Sequence, residues 1–301
     1  MPLLKAEADK LSNNDLVAGI VEEIIDRDDL FAFLPFVQTN SKAYVYNREA
    51  TISEGSFIAP GGTVTEGAAT FTEIMTKLRI LIGDVDVDNF MNETESDTNN
   101  QKMIQLALKA KGLGKKFRRT LVQGDNGSSA NEFDGIESLV SDTADQVIAA
   151  GTNGGSLSLG MLDDLIDKVD NGADALMMRK GTFRALKALW RAAGGNTGGM
   201  LQVENYGMVP AHDGVPIIIN DYIATDLTEG TGTGLTAVYA MRLNEIDGLH
   251  GLYGGSEMGI RFEDVGTVQD KDATRSRLKW YCGAALKSTK SLASLNGVTN
   301  V

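Results

Sequence analysis

The sequence predicts an α+β fold, and three observations carry that prediction. Residues 38–82 form a long β-rich excursion that turns in a glycine-studded tip. A long amphipathic helix follows it. Over the rest of the chain short strands and helices alternate irregularly, with no repeated βαβ unit and no internal repeat, which favours α+β over a doubly wound sheet.

Residues 1–36 read as an arm. Leu16, Val17, Ile20 and Ile24 recur at helical spacing with Glu22, Glu23 and Asp26 opposite. Residues 30–36 then form an apolar knot ended by Pro35. Such a knot would be sticky if free, so it is expected to pack on the body or on a neighbour. The excursion leaves through 43–48, where Tyr44, Val45 and Tyr46 favour strand. It returns through 70–82, with Phe71, Ile74, Leu78, Ile80 and Ile82. Its tip carries Gly55, Pro60, Gly61, Gly62 and Gly67. A two-stranded hairpin is marginal alone in water, and the segment after it is acidic and then helical. The surface that stabilises it is therefore expected from another copy of the same chain.

Residues 94–123 read as the longest helix, capped by Thr94, Ser96 or Asp97. Its apolar face is Met103, Leu106, Ala110, Leu113, Phe117 and Leu121. Gly112 and Gly114 each cost about 1 kcal/mol in a helix interior, but the pattern passes through them in phase. At a rise of about 1.5 Å per residue the helix would be about 40 Å long. Residues 124–129 read as a turn, 136–140 as a strand or short helix, and 151–155 as a glycine-rich loop. Leu159, Leu162, Leu165, Ile166 and Val169 mark a second amphipathic helix stopped at Asn171-Gly172. Residues 175–178 read as a short buried strand. Thr182 then caps a helix with Phe183, Leu186, Leu189 and Trp190 inward, and 194–199 form a mobile loop. Residues 215–219, introduced by the turn at 212–214, are a strong buried strand. Residues 237–241, 249–262 and 277–286 read as further strands.

Composition sets the outer limits. Hydrophobic content of 42% and charged content of 23% are those of a soluble globular protein. No apolar run approaches a membrane span, so no membrane partner is expected. The first residues lack the pattern of a signal peptide, and the single cysteine, Cys282, excludes an intramolecular disulfide framework. Folding in a reducing cytoplasm is expected. The net charge of −13 argues against a surface that binds nucleic acid all round. Its distribution says more: residues 84–97 hold six acids and no base, whereas 99–123 hold seven bases and no acid. Such asymmetry marks faces with different neighbours. The bases read either as a surface facing a polyanion, whether nucleic acid or the acidic stretch of a neighbouring subunit, or as a solvated helix face.

Catalytic chemistry finds little support. His212 and His250 have no spacing that suggests a shared site, and no Gly-x-Ser-x-Gly elbow is present. Cys282 falls at an apolar strand position, where cysteine is usually an inert small hydrophobe. Ser276 and Lys279 match Ser-x-x-Lys but fall in an expected strand. No phosphate-binding glycine loop has the required strand–helix order. Asp84, Asp86, Asp88 and Glu95 match positions of a calcium loop, with Asn89 where that loop needs glycine. Alternating acids on the solvent face of a strand give the same spacing. No catalytic residue, cofactor or metal is expected.

The order of arm, extended hairpin, long helix and mixed α/β body resembles the major capsid protein of tailed double-stranded DNA bacteriophages, the Hong Kong 97-like capsid fold also used by encapsulin shells. The best local matches are the buried strand and helix at 173–190, the run 214–219, similar to the family's Gly-x-Pro-Val-type strand, and the closing strand at 280–286. The resemblance implies an N-terminal arm (1–36), an E-loop hairpin (37–83) lying across an adjacent subunit, and a peripheral domain (84–172) containing the spine helix. An axial domain (173–266) and a return to the peripheral domain (267–301) complete it. It implies a non-enzymatic virion protein, made in the host cytoplasm, that assembles as hexamers and pentamers of an icosahedral head. Phe57, Ile58 and Pro60 at the E-loop tip become inter-subunit contacts. Lys109, Lys111, Lys115, Lys116, Arg118 and Arg119 become a lumen-facing stripe in weak, non-specific contact with packaged double-stranded DNA. Strong attraction would condense DNA on the wall, so the net negative charge suits that role. Scaffolding, portal and cement proteins are candidate partners, and the short arm implies a separate scaffolding protein or none. Lys42 and Lys77 are candidates for an inter-subunit cross-link, but no acidic catalyst can be assigned and none is predicted. An encapsulin-like compartment is the alternative, and a cytoplasmic α+β enzyme is the rival from another class.

Overall fold

A computed structural model describes residues 30–64, 66–94, 101–141, 144–194, 199–203, 207–256 and 258–299. The apolar knot becomes helix α1 (Leu30–Phe33) and strand β1 (Phe36–Thr39). Leu30 and Leu34 are buried, and the rings of Phe31 and Phe36 lie 6.0 and 6.3 Å from Phe117. The knot thus packs on the chain's own body. The helical run at 16–24 lies outside the described residues.

Strands β2 (Ala43–Thr51) and β3 (Thr70–Lys77) pair antiparallel, from Ala43 opposite Lys77 out to Thr51 opposite Thr70. The return limb expected over 70–82 does not continue as one strand. It breaks at Leu78, whose N–H donates to the Lys42 carbonyl at 3.1 Å. Beyond the break, β4 (Arg79–Asp88) pairs along its whole length with the distant strand at 273–282. Val85 and Val87 are buried there, and Leu81 packs against the core cluster around Phe117 and Trp280. This inward apolar row is what the outer half of the limb lacks.

After the short helix α2 (Asn89–Thr94) comes the long helix α3 (Gln101–Gln123). Thr94 thus ends the short helix instead of opening the long one, and Ser96 and Asp97 lie outside the described residues. A methyl at Gly112 or Gly114 would meet nothing within 4 Å, which is why the helix runs through both on its open side. Leu113, Phe117 and Leu121 are buried, whereas Met103 is 63% exposed. The apolar face is fully covered only over its C-terminal half.

Helix α4 (Ile136–Ser141), a 3-10 turn at 144–146 and strand β5 (Val147–Ala149) lead to helix α5 (Leu159–Asp167). Ser158 caps α5, its Oγ accepting the Met161 N–H at 3.2 Å. Strand β6 (Ala175–Met178) is buried at every position and leads into helix α6 (Lys180–Ala192). The cap expected at Thr182 is corrected: Thr182 lies buried inside the first turn and Arg179 holds the N-cap position. The Arg179 guanidinium reaches away, donating to the carbonyls of Asp221 and Ile223 at 2.6 and 2.5 Å.

Strands β7 (Gly199–Val203), β8 (Gly207–His212) and β9 (Val215–Ile219) follow. Residues 195–198 of the expected mobile loop lie outside the described residues. Asp213 and Gly214 join β8 to β9 with φ of 47° and 80°, the conformation of a two-residue hairpin turn that favours Asp-Gly. Strands β10 (Leu227–Glu229) and β11 (Gly232–Met241) come next. The strand expected over 249–262 is two strands, β12 (Leu249–Gly254) and β13 (Arg261–Thr267). Gly255 and Gly259, at φ of 99° and 113°, break it between them. The long β14 (Ala273–Leu286) and the last strand, β15 (Leu292–Val298), close the fold.

One sheet runs β1-β12-β14-β13 with β4 also on β14. The other runs β5-β15-β11-β6-β9-β8-β7 with β10 on β11. In the second sheet Leu176, Met178, Ile217, Ile219 and Val238 face α5 and α6 in one core cluster. Met177, Ile218, Tyr239 and Met241 face the other cluster, with Phe117, Leu121 and Trp280. Burial on both faces explains why 175–178 and 215–219 are unbroken apolar runs.

Candidate assembly surfaces

The β2–β3 hairpin has two chemically different faces, set by the alternation of side chains along a strand. One face turns to the body. The Tyr46 hydroxyl donates to the Leu286 carbonyl at 2.7 Å, and Arg48 donates to the Lys287 and Leu286 carbonyls at 2.6 and 2.5 Å. Tyr44 meets His250 edge-on at 5.6 Å and lies under the Lys287 ammonium at 5.7 Å. Burial raises the Tyr46 pKa above its ordinary value, so the hydroxyl stays a donor. The hairpin base is thus fastened to its own subunit, which corrects the expectation that the surface stabilising the hairpin comes wholly from another copy.

The opposite face carries Val45, Phe71 and Met75, at 50%, 65% and 55% exposure. Farther out, Ile52 and Val64 are also exposed. At the tip Gly62 N–H donates to Ala59 O at 2.8 Å, with Gly61 at φ 84°. This is a type II turn, with Pro60 and Gly61 in the positions that suit them. Phe57 stands fully exposed just before the turn, with Ile58 half-exposed and Pro60 exposed. These exposed apolar side chains, interspersed with Asn47, Glu49 and Glu73 on the same face and covered by no other described residue, mark an interaction surface.

Where β4 lies on β14, Ile80 and Ile82 remain exposed. Beyond them runs a ladder of ion pairs. Arg277 donates to both oxygens of Asp84 at 2.8 and 2.9 Å, and Arg275 to both oxygens of Asp86 at 2.7 and 2.8 Å. Lys279 donates to Glu263 at 2.6 Å. The acidic strand is therefore matched within its own chain: Asp84 and Asp86 alternate on a strand, as the second of the two readings had it, but are paired with arginines instead of being simply solvated. Among the described residues no group of three or more His, Cys, Asp or Glu could hold a metal.

The hydrogen bonds from Arg277 and Arg275 hold Asp84 and Asp86 below the usual carboxylate range, against an opposing effect of burial. A group depressed in the folded state stabilises above its unfolded pKa and loses that contribution as the pH falls through the native value. The native protein is expected to be more stable than D84N/D86N at pH 7. The difference should vanish as the pH falls below the unfolded Asp value of about 3.9 and through the native values. Denaturant midpoints of both proteins measured downward from pH 7 check this; a difference that does not shrink as the pH falls below the unfolded value contradicts it.

The basic residues of α3 divide. Lys102, Lys109 and Lys116 recur every seventh residue and share one ridge. Lys102 lies 4.0 Å from Asp264, the stem of Lys109 covers Gly83, and Lys116 pairs with Glu132. Arg118 stands 5.6 Å over the Phe31 ring. Lys111 and Arg119 are exposed, and Lys115 is half-buried. Part of the stripe thus serves the chain's own packing, a division hidden in the sequence because Asp264 and Glu132 come from other elements.

The remaining candidates lie apart. His212 Nε2 is 2.8 Å from Asp163, and its ring stacks on Trp190. His250 is buried in β12, and burial lowers its pKa. Cys282 is buried in β14, and burial pushes its thiol up to about 12. Ser276 is buried in the same strand, as expected. No helix among the described residues is long and apolar enough to cross a membrane.

A scan against protein families and a search of curated proteins find no match. Solved structures do match over nearly the whole chain. The holo-SrpI encapsulin complex from Synechococcus elongatus PCC 7942 superposes with a TM-score of 0.75 at 18% identity, covering 99% of this chain and 96% of that one. The capsid of a native GTA particle superposes at 0.69 with 12% identity, covering 98% of each chain. A structure from Microbacterium phage Oxtober96 superposes at 0.64 with 13% identity, covering 98% and 99%. The chain has the Hong Kong 97-like capsid fold.

Proposed function

We propose that this chain is the major shell subunit of a tailed-phage head, assembling as hexamers and pentamers into an icosahedral capsid around double-stranded DNA. The observation that carries the reading is the hairpin. Its base is bonded to its own subunit, while Val45, Phe71, Met75 and the tip at Phe57 are exposed among the described residues. An element held rigidly at one end and apolar at the other is built to bury its free end in a neighbour. Within this reading 37–83 is the E-loop and α3 is the spine of the peripheral domain. Residues 173–266 are the axial domain of this reading, with the difference that β5 and β15 from outside that range join its sheet while β12 and β13 pair with β14 in the other sheet. Phe57, Ile58 and Pro60 are the inter-subunit contacts.

An encapsulin-like compartment is the second reading, favoured by the TM-score of 0.75 to an encapsulin against 0.61–0.69 for the GTA and phage structures. Nuclease-treated particles decide between them: protected double-stranded DNA supports the head, and protein cargo without nucleic acid supports the compartment.

If the helix faces packaged DNA, Arg119 is an exposed base to test, since the stem of Lys109 covers Gly83 and Lys116 pairs with Glu132. R119Q is expected to keep the native melting temperature. The salt dependence of DNA binding by free capsomers should become shallower by about one unit of slope for each phosphate no longer neutralised. A collapse in thermal stability with an unchanged salt slope would make this base structural.

A further inference from the structure

At the base of the hairpin lies an apolar pocket of about 200 Å³, walled by Ile80, Leu81, Phe117, Phe133 and Cys282. We propose that this pocket receives the Phe57 side chain of a second copy of the chain, an inference that rests on the shell reading above and names the residues that meet.

Size, charge and reach support it. An apolar cavity of about 150 Å³ holds a benzene molecule, so the pocket accommodates one phenyl ring, and Phe57 is the fully exposed aromatic at the hairpin tip. Between Thr51 and Thr70 the tip carries Glu54 and Glu66 and no base. The pocket rim carries Arg79 and Lys116 against the single acid Glu132, so an acidic tip meets a rim with a positive excess. Ile80, 65% exposed, supplies an apolar lip.

The chain's own Phe57 cannot be the occupant. Arg79 and Ile80 follow directly on the inner end of the hairpin, while Phe57 lies beyond the outer Thr51–Thr70 pair. The paired strands between them span about 30 Å at roughly 3.4 Å per residue. Tip and pocket thus sit at opposite ends of one stiff element. A contact between them is heterologous, with the tip of one copy entering the base of the next, and such contacts close into rings when the rotation permits.

Cys282, the only cysteine, reports on the contact. Particles are assembled from a minority of F57C subunits among unchanged ones, so that loss of one anchor does not prevent assembly, and are then oxidised. A covalent dimer joining residue 57 to residue 282 is expected on a non-reducing gel. It should be absent when every copy carries C282S, and absent for V64C on the other limb of the tip. In parallel, F57A alone is expected to raise the concentration needed for assembly at least about tenfold, as loss of a buried aromatic anchor does. Particles that form without the 57–282 disulfide, together with F57A subunits that assemble at the native concentration, overturn the pocket assignment and leave the shell reading intact. Unchanged protein that forms neither capsomers nor shells, with a scaffolding protein supplied, overturns both.

Discussion

Removal of residues 55–67 is expected to leave a folded subunit that builds no closed shell. The deletion leaves Ile52, Ser53, Glu54, Ala68 and Ala69 to join Thr51 to Thr70, which already face each other with their hydroxyl oxygens 2.6 Å apart. Hairpin loops of that length are common, so the ladder and its anchors at Tyr46 and Arg48 stay in place. The deleted residues are exposed wherever they are described, and their removal takes almost no burial from the isolated subunit. The melting temperature should therefore stay near that of the full chain. Assembly loses Phe57, Ile58 and Pro60 together, and interfaces depend on a few such anchors for most of their energy. Closed particles from the deletion variant, seen by light scattering or microscopy, would falsify the role assigned to the hairpin.

Phe117→Ala is expected to have the largest effect on the subunit itself, about 3–5 kcal/mol. Phe117 is 1% exposed. Its ring centroid lies 4.3 Å from that of Trp280, 5.7 Å from Phe133 and 6.0 Å from Phe31. It thus joins α3, the long β14, the loop after the helix and the apolar knot in one cluster. Cutting it back leaves a cavity at the junction of all four. Met103→Ala, on the same nominal helix face but exposed, should stay within about 0.5 kcal/mol in the isolated subunit. Denaturant unfolding of both variants checks the contrast; equal losses would mean that the whole helix face is packed alike.

Those two residues also show how far the sequence was legible. Met103 and Phe117 share one periodic pattern, and periodicity records which residues lie on one face without recording how much of that face is covered. Residues 175–178 and 215–219 were readable to the residue because a strand buried on both faces has no polar position to blur its ends. The break at Leu78 was not readable, since Ile74, Leu78, Ile80 and Ile82 continue one alternation. What separates them is the partner: β2 nearby for the outer half, and β14, about 190 residues away in sequence, for the inner half. The pairing of Asp84 with Arg277 and Asp86 with Arg275 was hidden for the same reason. Strand β15 escaped notice because Ala293, Ser294, Asn296 and Gly297 interrupt its apolar pattern. At the candidate site the exposed tip was legible from its glycines, Pro60 and Phe57. The pocket was not, because its walls come from β4, α3, β14 and the loop after α3.

Electron microscopy of the purified protein, with size-exclusion chromatography alongside, tests the central claim most directly. The account predicts closed shells or hexameric and pentameric capsomers, with the hairpin of each subunit lying across its neighbour. A monomer at micromolar concentration that stays monomeric when a scaffolding protein is supplied would contradict it.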